Sequence, residues 1–115
     1  MVKYEVELDA IFTALAHPAR RAMLARLGEG EATVGELAQP LDMSLPAVTK
    51  HLKMLERAKL ISRSKNAQWR PCRLEEAPLE TASAWIEQQR KIWESRLDRL
   101  ESYLHSMEKQ GKKKR

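Results

Sequence analysis

At 115 residues the chain has room for one domain with a modest core and little more. Its single cysteine, Cys72, excludes an intramolecular disulfide and fits a reducing interior. No apolar run reaches the ~18 residues of a membrane span, and the N-terminus lacks a long apolar leader, so a soluble, cytoplasmic protein is expected. The net charge of +5 is unevenly placed: residues 44–73 hold eight basic side chains and one acidic, whereas residues 1–43 and 74–108 are each net acidic.

In chain order, Leu8, Ile11, Phe12 and Leu15 recur at helical spacing and predict a helix of about two turns. His17-Pro18 interrupts it, and Pro18 suits the first position of a second helix whose inner face is Met23, Leu24 and Leu27. Gly28 and Gly30 end that helix. Thr33-x-x-Glu36 has the form of a capping box, starting a third helix with Val34, Leu37 and Ala38 inward and stopping near Pro40. Ser44 caps a fourth helix over about 44–58, in which Pro46 is tolerated in the first turn. Its stripe of Val48, Leu52 and Leu55 faces inward, leaving Leu45, Thr49, Lys50, Lys53 and Arg57 outward. A buried stripe behind a basic, hydroxyl-bearing face suits a helix laid in a DNA major groove.

Residues 60–63 and 69–74 read as two short strands around a polar tip, residues 64–68, forming a hairpin over about 60–74. Trp69 and Leu74 anchor it, Pro71 fits an edge strand, and Lys65, Asn66 and Gln68 point outward. A last helix is predicted over about 79–107, with Trp93, Leu97, Leu100, Leu104 and Met107 at spacings of 4, 3, 4 and 3, extended backwards by Trp85, Ile86 and Ile92. Such a helix is too long for a small core to cover, so its seam calls for the same helix of a second copy. Glu87–Lys91 and Arg90–Glu94 are expected as pairs on its solvent face. Residues 109–115, with five basic side chains, read as a disordered tail adding nonspecific attraction to DNA, which leaves residues 1–108 as the folded domain.

The fold class expected is mainly α: a winged helix-turn-helix of about five helices and a two-stranded hairpin. In LAHPARRAML (15–24), MSLPAVTKHLKMLERAKLI (43–61) and RPCRLE (70–75) the chain resembles the ArsR-type winged-helix repressors of bacteria and archaea, over nearly its whole length. The resemblance implies a homodimer joined through the first and last helices, here Leu8, Ile11 and Phe12 with Trp85, Trp93, Leu97, Leu100 and Leu104. It also implies repression by binding an inverted-repeat operator in double-stranded DNA. Metal-sensing relatives carry a cysteine pair in the third helix or His and carboxylate ligands on the last. One Cys and three scattered His cannot supply about four convergent ligands, so a metal-free branch and no cofactor are expected. Where relatives often have glycine this chain has Lys59, which predicts a strained turn.

Each candidate has a plainer alternative. Ser44 and Thr33 are helix caps that also sit where a phosphate is positioned. Leu45 and Pro46 open the recognition helix, and Leu45 suits a thymine methyl. Thr49 and Lys50 are the base-reading candidates, against a merely solvated face; Lys53 and Arg57 suit phosphates. In the hairpin, Arg63, Lys65, Asn66 and Gln68 are the candidates, with Arg63 or Arg70 facing either DNA or the body. His51 is either a helix-positioning residue or a DNA contact, and His17 is structural. Cys72 reads as inert filler more readily than as a redox sensor, and Trp85 and Trp93 as packing more readily than as the floor of an effector pocket. No constellation for catalysis is present, so no enzyme is expected. The rivals are an effector- or redox-responsive sensor of the same fold, and a winged-helix protein-interaction adaptor.

Overall fold

The computed structural model describes residues 2–64 and 70–113. Five helices and two strands follow in order: α1 (Val2–Leu15), α2 (Pro18–Leu27), α3 (Val34–Ala38) running into a 3₁₀ turn (Gln39–Leu41), α4 (Leu45–Arg57), β1 (Ile61–Arg63), β2 (Cys72–Leu74) and α5 (Ala77–Lys113). By its internal contacts the chain divides into two compact units, Met1–Ala82 and Ser83–Arg115.

The first unit is built around α4. Val48, Leu52 and Leu55 are fully buried and pack with Met23, Leu24 and Leu27 of α2, Leu37 of α3, and Leu60 and Ile61 of the strand entry. Each such aliphatic side chain contributes roughly 1.5–3 kcal/mol by leaving water, so the core fixes α4 before any polar contact is counted.

Local chemistry sets the boundaries. His17 is extended, as a residue before proline prefers, and its Nδ1 accepts from the Ala19 amide to cap α2. Carbonyls at the C-terminus of α1 accept from two arginines of α2: Arg20 donates to Thr13 (3.0 Å) and Ala14 (2.7 Å), and Arg21 to Leu15 (2.8 Å). Thr33 and Glu36 form the expected capping box. Asp42 takes the left-handed conformation (φ 51°) in the turn between α3 and α4, one that aspartate tolerates better than most residues.

The end of α4 is a Schellman motif. The Lys59 amide donates to Glu56 and the Leu60 amide to Leu55, with Leu55 and Leu60 both fully buried. Lys59 is the left-handed residue this geometry demands (φ 63°), which is the strain expected of a side chain where glycine is favoured. Lys59→Gly is therefore expected to stabilise the chain by about 0.5–1 kcal/mol, read as a higher urea midpoint at unchanged slope.

β1 and β2 pair antiparallel in the register Ile61↔Leu74, Ser62↔Arg73 and Arg63↔Cys72. On its other edge Cys72 exchanges both backbone hydrogen bonds with Ala32 (2.7 and 3.1 Å), so the hairpin is tied to the segment entering α3. That bridge has no counterpart in the sequence reading. Cys72 is fully buried there, and burial pushes its thiol above the ordinary range, in keeping with inert filler.

Three differences from the sequence reading have physical causes. α1 begins six residues before Leu8, the start of its apolar pattern, because the polar residues of 3–7 are compatible with helix although they bury nothing. α5 continues to Lys113, through most of the tail expected to be disordered, since glutamate, glutamine and lysine are good helix formers and no proline stops it. At about 1.5 Å per residue its length is roughly 55 Å. Finally, Leu8 and Ile11, assigned to the partner, are 7% and 2% exposed within their own chain and have almost nothing left to bury.

The second unit is the greater part of α5. Trp93, Leu97, Leu100, Leu104 and Met107 lie along it 51–60% exposed, an apolar stripe that no other described residue covers. On this helix Arg90 bonds both Glu87 (2.7 Å) and Glu94 (2.6 Å), taking the place expected of Lys91 opposite Glu87. No helix of the described residues is long and apolar enough to cross a membrane.

Candidate nucleic-acid interface

The outer face of α4 carries the candidates. Ser44 caps the helix, its hydroxyl accepting from the Ala47 amide (3.3 Å). Leu45 and Pro46 follow in the first turn, both exposed. A leucine left 56% exposed at the start of a helix whose other leucines are fully buried has an outward role or none. Thr49 is half-buried on the same face, while Lys50, Lys53 and Arg57 are exposed. Among the described residues, none of these three cations has an ion pair or a side-chain hydrogen bond, so their charge is free to meet phosphates.

The one carboxylate of residues 44–73, Glu56, is neutralised from within. Arg63 Nε lies 3.1 Å from Glu56 Oε1, an ion pair whose angle falls short of a hydrogen bond. Arg63 thus turns to the body, which is the alternative left open for it in the sequence, and its head group is committed to Glu56. Arg70 is exposed, with φ 43°. Lys65, Asn66 and Gln68, and with them Trp69, lie outside the described residues.

Thr33 is half-buried and its hydroxyl proton is spent: the hydroxyl accepts from the Glu36 amide (3.2 Å) and donates to Glu36 Oε1 (3.0 Å). The Thr33 backbone N–H, which donates to Glu36 Oε1 at 3.2 Å, and then the Thr33 hydroxyl hold the Glu36 carboxyl below its usual range, with Arg26 at 3.5 Å adding to the effect. The cap therefore fixes α3 against α2, and a phosphate would have to compete for it.

Behind α4, Arg20 joins His17 and His51 in a polar cluster. Arg20 Nη1 lies 3.1 Å from His51 Nδ1, while the His17 and His51 rings lie 4.4 Å apart, tilted by 48°. His51 belongs to α4, so Arg20 ties the recognition helix to α2 and, through Thr13 and Ala14, to the end of α1. The sequence offers His51 as a positioning residue but gives no signal for Arg20, which lies 31 positions away. Among the described residues no group of three or more His, Cys, Asp or Glu is arranged to hold a metal ion.

Known proteins share this arrangement. Residues 15–63 match a family described as a helix-turn-helix domain. Over 53 residues the chain is 49% identical to the HTH-type transcriptional regulator Rv2034 of Mycobacterium tuberculosis (strain ATCC 25618 / H37Rv), a stretch covering 46% of this chain and only half the length of that relative. It is 29% identical over 79 residues to the transcriptional repressor SdpR of Bacillus subtilis (strain 168), covering 69% of this chain and 88% of that one. The crystal structure of an ArsR family transcriptional regulator superposes with a TM-score of 0.74 at 45% identity, covering 79% of this chain and 94% of that chain. With that identity over almost the whole of a family member, and with the same helix-turn-helix and hairpin in its own fold, the chain belongs to the ArsR family of winged helix-turn-helix transcriptional regulators.

Proposed function

We propose that the chain is a homodimeric, sequence-specific repressor of the metal-free branch, acting in the cytoplasm on an inverted-repeat operator and without enzymatic activity. Each copy sets the outer face of α4 in the major groove, with Leu45, Thr49 and Lys50 toward base edges and Lys53 and Arg57 on phosphates. Ser44, Pro46 and Thr33 line the approach and Arg70 flanks it, while Lys65, Asn66 and Gln68, outside the described residues, are retained as DNA contacts on their sequence alone. The observation that carries this reading is the cationic face of α4, unpaired among the described residues, over a fully buried core in the one segment of the folded body with a large positive excess. The bare stripe on α5 supports the homodimer, because a helix so exposed along one apolar edge gains most from an identical partner.

An effector-responsive form of the same reading has one observation in its favour. A cleft of about 350 Å³ opens between Ile11, Ala58, Pro78 and Thr81, with Glu7 and Glu75 at its edge. That is the low end of ligand-pocket sizes. The redox form is disfavoured by the burial of Cys72.

Anisotropy titration with the DNA upstream of its own gene, against random DNA of equal length, tests the proposal. Expected is selective binding whose logarithm falls linearly with that of salt concentration. Equal affinity for both DNAs, repeated with a pool selected from random sequence, favours the adaptor.

A further inference from the structure

We infer that Arg20 is a positioning residue for DNA reading: through a neutral His51 it holds the recognition helix in place, and selectivity falls when that imidazole takes up a proton. The inference rests on the DNA-binding reading above and adds to it a residue and a response.

The geometry fixes the protonation state. A guanidinium has donors and no acceptor, so the 3.1 Å contact from Arg20 Nη1 requires a lone pair on His51 Nδ1. The ring is therefore neutral, with its proton on Nε2. The same guanidinium is already anchored, its Nε on the Ala14 carbonyl at 2.7 Å and its Nη2 on the Thr13 carbonyl at 3.0 Å. It cannot follow His51 without giving up the end of α1. One planar group thus joins α1, α2 and α4, which a lysine ammonium would not reproduce.

The surroundings punish a second charge. Among the described residues, the titratable or charged groups acting on His51 are His17, from the turn between α1 and α2, and Arg20, from α2. Neither offers a negative charge. Burial, then the nearness of His17 and of Arg20, hold the His51 imidazole below its ordinary value of 6.5. The folded chain then binds fewer protons than the unfolded chain near that pH. The contribution of the latch is complete above 6.5 and is lost as pH falls through the lower folded value.

Two consequences of protonation are separable. An added charge on α4 draws it to any DNA, raising affinity for all sequences alike. Release of the Arg20 latch loosens the helix that reads bases, lowering the ratio of selected to random affinity. The ratio therefore reports the latch.

The test compares the wild type with His51→Asn, which keeps an acceptor near the Nδ1 position and does not titrate, and with Arg20→Gln and His17→Asn. Urea unfolding and the affinity ratio, for a site selected from random DNA over random DNA, are measured at about pH 7.5 and about pH 5.5. In the wild type the ratio is expected to fall about fivefold or more on acidification, together with stability. In His51→Asn both are expected to be flat, and in Arg20→Gln the ratio is low at either pH. A wild-type ratio that does not change overturns the inference, as does a response that survives His51→Asn and vanishes in His17→Asn. No selectivity at either pH, with the pH dependence of unfolding intact and absent in His51→Asn, overturns the DNA reading and the role in selectivity together. Flat unfolding with selectivity intact overturns the latch and spares the DNA reading.

Discussion

Replacing Leu97 and Leu100 together by glutamate is expected to yield a folded monomer that no longer binds its operator tightly. Both leucines lie on the exposed stripe of α5, in the unit Ser83–Arg115, outside the core of Met1–Ala82. The substitution therefore leaves the buried packing of Val48, Leu52 and Leu55 untouched. In a symmetric dimer every change is made twice. Losing four leucine burials at about 1.5 kcal/mol each weakens association by about 6 kcal/mol, roughly four orders of magnitude in dissociation constant. The carboxylates add a desolvation cost in the same direction. Sedimentation equilibrium reads the assembly and circular dichroism the fold. A dimer still intact at micromolar concentration would show that the stripe is not the seam.

The second large effect is expected at Lys50. This side chain is exposed, unpaired among the described residues, and in the second turn from the capped start of α4, where a recognition helix meets base edges. Lys50→Ala should weaken operator binding by about 1–3 kcal/mol and relax base preference at one position of each half-site. Lys53→Ala and Arg57→Ala should instead weaken binding to every sequence alike and lower the salt slope by about one each. Anisotropy over a series of single-base operator variants separates the two patterns. Uniform loss for Lys50→Ala would move it to the phosphate class.

How much of this was legible beforehand depended on the range of the interactions. The helix-turn-helix was plain, because its signals are local: the Thr33–Glu36 capping box, the Ser44 cap, and one apolar face at helical spacing. The cost of Lys59 was legible for the same reason, as a side chain where a helix-ending turn prefers glycine. Leu8 and Ile11 show the limit of periodicity. A pattern marks which face of a helix is apolar and says nothing about which surface buries it, and in this chain its own fold does so. The Ala32–Cys72 bridge and the Arg20–His51 bond join residues 40 and 31 positions apart, and neither type of residue announces such a partner. Arg63 was ambiguous in sequence because its charge suits either DNA or Glu56, and only the fold brings Glu56 to 3.1 Å.

One electrostatic device unites these observations. Among the described residues the cations of α4 that face outward are left unpaired, while those around it are spent on structure. Arg20 and Arg21 close α1, and Arg63 neutralises Glu56. A surface arranged for stability alone would pair Lys50, Lys53 and Arg57 with some of the chain's 16 acidic side chains, and among the described residues it does not.

Two copies that read one DNA site through α4 leave a distinctive hydroxyl-radical footprint on a site selected by the protein. Expected are two protected half-sites about one helical turn apart on one face of the duplex, related by an inverted repeat. Protection should also weaken in both halves together when Leu97 and Leu100 are replaced. A single protected segment, or protection that persists unchanged in that monomer, would contradict reading by two copies.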